Sequence, residues 1–111
     1  MFDQLSVGDL VSMASEQPFL GEEDEAGLVR RIHQGDAGAV EELVRGNLRI
    51  AIDEAIRTRG LGRPQRDLVR VGVRMLVEAA QCYDPHEHGP FVNHARARVR
   101  NAMIQSVGLS S

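Results

Sequence analysis

Small and apolar residues at Leu68, Gly72, Met75, Leu76, Ala79 and Tyr83 recur at steps of three and four, the period of one side of an α-helix. They predict a helix over residues 67–84 with that side against a core, and the rest of the chain is organised around it. Asp67 stands where a side-chain oxygen can cap the helix start. Asp84-Pro85 closes it, because the residue before proline avoids the helical region. Arg70, Arg74, Glu78 and Gln81 fall on the other side. Like charges four apart repel unless something acidic covers them, so Arg70 and Arg74 are candidate contacts to a protein partner, which the resemblance given below extends to Asp67; an ordinary solvated face is the alternative.

The same reading extends along the chain. Residues 3–15 predict a short helix with Leu10, Val11 and Ala14 inward, weakened by Gly8. Gln17-Pro18 breaks it, and Phe19-Leu20 forms an anchor. Glu22, Glu23, Asp24 and Glu25 crowd a first turn, where the helix dipole favours carboxylates, and Gly35 ends that helix. Asp36 caps the next, in which Val40, Leu43, Val44, Asn47, Leu48, Ala51, Ile52, Ala55 and Ile56 keep helical steps as far as Arg59, about 23 residues. Gly46 in its middle costs about 1 kcal/mol relative to alanine and so marks a packing contact or a bend. Residues 60–64 and 85–90 are turn-rich connections. Phe91, Ala95, Val99, Ala102, Met103 and Ser106 trace a last helix that ends before Gly108. No strand pattern occurs. The expected fold is all-α, a compact bundle of four to five helices, with residues 1–18 as an extension and 19–111 as the domain.

Composition narrows the function. Trp is absent, and no apolar run approaches the roughly 20 residues of a membrane span, so no membrane partner is expected. The start MFDQLSVGDL lacks a secretory signal, and the single Cys82 fits a reducing cytoplasm, the expected location. The net charge of −3 hides a polarity: residues 1–54 hold twelve acidic and four basic side chains, residues 55–111 four acidic and nine basic. A basic second half can approach phosphates or an acidic protein surface. Cys82, His86 and His88, with Asp84 or His94, are donors of the zinc type, but their spacing matches no closed site and surface loop histidines are the preferred reading. No metal and no cofactor are expected. With no phosphate loop and no nucleophile beside a base, no catalytic residue is identified and enzyme activity is not expected. The last helix offers more: Arg96, Arg98, Arg100, Asn101 and Gln105 are candidate nucleic-acid contacts, suited to phosphates and base edges, although they spread around the helix. A solvated or protein-binding face is the alternative.

The order of these features resembles one family. From Leu20 onward, the acidic helix start, Arg30-Arg31-Ile32, Gly35-Asp36, Glu41-Glu42-Leu43 and Asn47-Leu48-Arg49 are similar to the entry of the second domain of bacterial RNA polymerase sigma factors of the sigma-70 family, regions 1.2 to 2.4. The likeness runs on through Arg59-Gly60, Pro64, Asp67-Leu68, Gly72, Leu76, Tyr83-Asp84-Pro85, Phe91, Ala95, Val99-Arg100 and Ala102, covering about 85 of the 111 residues. It implies a domain that docks on the polymerase clamp through the helix starting at Asp67 and opens and reads the minus-ten promoter element with its last helix. The departures fall on those surfaces. The family's Ile-Gln-Glu-Gly-Asn is Val69-Arg70-Val71-Gly72-Val73, and its Tyr-Ala-Thr-Trp-Trp is His94-Ala95-Arg96-Ala97-Arg98. A glutamine that would face the duplex is Asn101. The family's later domains are expected to lie outside these 111 residues.

The resemblance implies a sigma-factor-like protein of transcription initiation, with RNA polymerase core or promoter DNA as partner and no autonomous promoter melting. The alternative is a sigma mimic that binds a sigma-binding regulator and has no DNA role.

Overall fold

Residues 2–16 and 20–108 are described by the computed structural model, and none of them forms a strand. Seven helices occupy these residues: α1 (Val7–Glu16), α2 (Glu22–His33), α3 (Ala37–Gly46), α4 (Leu48–Arg57), α5 (Gln65–Gln81), α6 (Pro85–His88) and α7 (Phe91–Gly108). The all-α class is as expected, but the helix count exceeds four to five for two local reasons.

First, the long helix expected from Asp36 to Arg59 is two helices. The chain breaks at Asn47 (φ −123°, ψ 15°), whose Nδ2 donates to the Leu43 carbonyl at 2.8 Å. Gly46 is there because Leu20 lies on it; a Cβ would come within 2.3 Å of Leu20 Cδ1. Both consequences expected of this glycine, a contact and a bend, therefore occur together. Phe19 and the Gln17-Pro18 break lie outside the described residues. Second, residues 85–88 form a short helix where a plain connection was expected, and Asp84 caps it by accepting from the His86 amide at 2.9 Å.

The caps differ in how well they follow expectation. Asp36 does cap α3, accepting from the Ala39 amide at 3.3 Å. Gly35, with φ +90°, takes the left-handed conformation that ends α2. Asp67 is not a cap: α5 starts two residues earlier, Pro64 occupies the cap position, and Asp67 sits in the first turn. A proline before the helix start supplies no competing donor, so the first turn forms ahead of the aspartate.

α5 lies at the centre. It packs most extensively on α7 and α4, and also meets α3 and α2. Leu68, Val69, Val73, Leu76 and Ala79 of α5 share one core with Phe91, Ala95, Val99 and Met103 of α7. Gly72 is the closest crossing point, because a Cβ there would lie 2.7 Å from Met103 Cε and 3.0 Å from Ala51 Cβ. Gly72→Val is expected to overpack this crossing and cost about 1–3 kcal/mol, read as a lower urea midpoint with an unchanged m value.

α1 rests on α4 and α3 and contributes Leu10 to the same core. Two expected core positions point outward. Val11 is 41% exposed, since it lies about 100° round the helix from Leu10; Met13 and Ala14 share the inner edge instead. Ile56 is 44% exposed, and Glu54 and Thr58 turn inward on either side of it.

Candidate functional site

The α4–α7 junction is built on a charge. Along α4, the inward stripe continues from Asn47 through Ala51 to Glu54 and Thr58, so a carboxylate occupies a core position and is 0% exposed. Two arginines one turn apart on α7 reach it. Arg100 approaches side-on, with Nη2 3.1 Å from Oε1 and Nε 3.2 Å from Oε2, and Arg96 Nη1 lies 3.1 Å from Oε1. Arg57, on α4 itself, comes to 3.6 Å. Hydrogen bonds from Arg100, then from Arg96, hold the Glu54 carboxyl below the ordinary value of 4.5, against a burial effect that acts the other way. A carboxylate is tolerated in such a position only when it is paired and hydrogen-bonded, and here it is both. Glu54 was no part of the sequence expectation. Its signal was present, though: it stands three residues after Ala51 and seven after Asn47, on the apolar stripe.

The five candidate nucleic-acid residues fall on two edges of α7. At about 100° per residue, Arg96 and Arg100 flank the buried side on the Glu54 edge, and Arg98, Asn101 and Gln105 flank it on the other. Asn101 and Gln105 are exposed, and Arg98 Nη1 lies 3.2 Å from the Cys82 thiol. Between the edges the outward ridge carries Asn93, Ala97 and Ile104, all exposed. No single flat face gathers all five.

On α5, Arg70 and Arg74 are exposed and Asp67 is half-buried. Arg70 is engaged at close range by the segment before α1, donating to the Asp3 carbonyl at 3.3 Å and the Leu5 carbonyl at 3.4 Å. Arg74 and Arg70 border a small recess that Phe2, Asp3 and Leu10 also line.

His86 is exposed as expected, whereas His88 and His94 are more embedded than loop residues. His88 and His94 stack with ring centroids 4.0 Å apart, and Tyr83 meets Phe91 edge-on at 5.1 Å. His88 Nδ1 accepts from the Asp84 amide at 3.0 Å, and Tyr83 donates its hydroxyl to the Gly89 carbonyl. Burial, then the nearness of His88 and Arg98, pushes His94 below the ordinary imidazole value. His88 is thus a packing residue that closes α6 onto α7. Among the described residues, no three His, Cys, Asp or Glu side chains gather as a metal site, and no helix is long and apolar enough to cross a membrane.

The chain is 31% identical over 90 residues to the RNA polymerase sigma factor SigA of a Bacillus species, 81% of this chain and 24% of that protein. It is 29% identical over 91 residues to the RNA polymerase sigma factor RpoS of Coxiella burnetii, 82% of this chain and 26% of that protein. The chain carries a sigma-70 family region. A third relative, the RNA polymerase sigma-C factor of Myxococcus xanthus, is 28% identical over 108 residues, 94% of this chain and 37% of that protein. The sigma region therefore spans between 24% and 37% of the length of these relatives. No family model matches the chain. The helical bundle agrees with the sigma resemblance, and the Glu54 cluster lies against the middle of α7.

Proposed function

We propose that this sigma region acts in transcription initiation, docking on RNA polymerase core through Asp67, Arg70 and Arg74 of α5 and meeting promoter DNA along α7. The observation that carries this reading is the alignment with sigma factors over 81–94% of the chain. Two exposed arginines four apart on α5 favour it, since an acidic partner surface would relieve their repulsion. On α7, Arg98, Asn101 and Gln105 offer a guanidinium and two amides to a nucleic-acid strand from one edge. Positions 97 and 98, where the resemblance sets the family's tryptophans, hold Ala97 and Arg98. Stacking on an aromatic ring is worth about 1–3 kcal/mol per base, so the region binds without opening the duplex by itself.

The test is affinity purification from the native cell. Core polymerase subunits are the expected capture, and Arg70→Glu with Arg74→Glu should abolish it. Arg70 also holds the segment before α1 through the Asp3 and Leu5 carbonyls, so Arg74→Glu alone is the control for folding, and its melting temperature should stay within about 2 °C of the unmodified chain. Equal capture by the unmodified chain and the double variant would refute the α5 docking face.

A second reading, a sigma mimic that occupies a sigma-binding regulator and has no DNA role, is favoured by one observation. Glu54 takes up hydrogen bonds from two of the three α7 arginines. Recovery of such a regulator without polymerase subunits would select it.

A further inference from the structure

We infer that the stacked rings of His88 and His94 form a proton-operated clasp, which fastens the α6 turn onto α7 while both are neutral and releases it on acidification. Such a clasp is a property of the fold and holds whichever partner the chain binds. Three rings meet where α6 joins α7: His88 and His94 stack at 4.0 Å with 10° between their planes, and Tyr83 faces His94 at 5.7 Å and 30°. They form the seam that attaches a four-residue helix, too short to stand by itself, to the bundle.

Each imidazole of the pair is held in a form that a proton would spoil. The Asp84 amide can only donate, so its 3.0 Å bond to His88 Nδ1 requires a lone pair on that nitrogen. A proton there sets two donors face to face. His94 Nε2 is buried and has no hydrogen-bond partner among the described residues. A bare lone pair is tolerated in that position, whereas the N–H of an imidazolium would be a charged donor left unmet. With both rings charged, like charges stand at the 4.0 Å of the stack.

The neighbouring groups do not offset this. His33 Nε2, reaching from α2, lies 2.8 Å from the Tyr83 carbonyl, which only accepts, so that nitrogen carries its hydrogen whether the ring is neutral or charged. That tie survives acid. The Asp84 carboxylate is spent on the His86 amide, Glu25 of α2 acts on Tyr83, and Arg98 of α7 adds a positive charge beside His94. Burial, then His88 and Arg98, hold His94 below the ordinary 6.5, so an opened segment takes the proton more readily than the closed one. The clasp is complete above 6.5 and is lost as pH falls through the lower, closed value. Opening loosens residues 84–90 and, with Gly89, the anchor of the Tyr83 hydroxyl, while Phe91, Ala95, Val99 and Met103 keep α7 in the core.

Tyr83 is the chain's one tyrosine and tryptophan is absent, so intrinsic fluorescence reports on this seam alone. Tyrosine emission of the full chain, titrated from pH 8 to pH 4 beside far-UV circular dichroism, should change in one step with its midpoint below 6.5 while the helix signal is held. Glu25 is the rival source of such a step, since burial and then Glu22 hold its carboxyl above 4.5 and it acts on Tyr83. The step should therefore persist in Glu25→Gln and in His33→Gln. It should vanish in His88→Gln with His94→Phe, where the amide oxygen can still accept from Asp84 and the phenyl ring keeps a stacking surface. A flat Tyr83 signal from the unmodified chain would overturn the clasp whether or not that double variant folds. So would a step that Glu25→Gln or His33→Gln removes, that the double variant keeps, or that coincides with loss of the helix signal.

Discussion

Changing Arg96 and Arg100 together to alanine is expected to lower the melting temperature by about 10 °C or more, because it strands a wholly buried carboxylate. Removing one side of a buried pair costs far more than removing both, since the remaining charge has lost its water and its partner. A further Glu54→Leu change should therefore recover most of the loss. The same group predicts an acid dependence. Glu54 has a lower pKa folded than unfolded, so the unfolded chain binds the proton more readily; its stabilisation is complete above the ordinary value of 4.5 and fades as pH falls through the folded value. Thermal melts from pH 7 to pH 3 should show this component in the unmodified chain, and Glu54→Leu should lack it. Identical melts for the double arginine variant and the unmodified chain would mean that the junction is not held by charge.

Phe91→Ala is expected to cost about 3–5 kcal/mol, the range for deleting a fully buried aromatic side chain. Phe91 begins α7, is 0% exposed, and receives the edge of Tyr83 at 5.1 Å. Its removal opens a cavity where α6 turns the chain from α5 into α7, and Tyr83, tied by its hydroxyl to Gly89, cannot readily move to fill it. Urea unfolding measures the effect directly. Val11→Ala makes the contrast, since Val11 is 41% exposed and its loss should fall within about 0.5 kcal/mol of zero.

Much of this frame was legible in the sequence for a physical reason: its buried faces repeat at helical steps with few interruptions. Leu68, Leu76 and Ala79, and Phe91, Ala95, Val99 and Met103, were read as inner positions and are all fully buried. What escaped was whatever depended on a neighbour far along the chain. Periodicity carried one helix from the Asp36 cap to Arg59 because Asn47 sits in register; only Leu20 lying on Gly46 explains the close packing at the break. Asp67 satisfied a local rule for capping, while Pro64 took the position first. Arg96 and Arg100 read as free contacts because their partner, Glu54, lies 42 to 46 residues away and looks from sequence like one more surface acid. The charge polarity of the chain was read toward an outside partner, whereas Arg96 and Arg100 of its basic half are engaged within the chain by Glu54 of its acidic half. A carboxylate on an apolar stripe was the signal that would have found the cluster.

The most direct measurement is calorimetric titration of the purified chain into purified bacterial RNA polymerase core. Saturable binding that Arg70→Glu with Arg74→Glu removes is the predicted result. Heats no larger than dilution for the unmodified chain, across a concentration range in which a full-length sigma factor saturates the same core, would contradict the account.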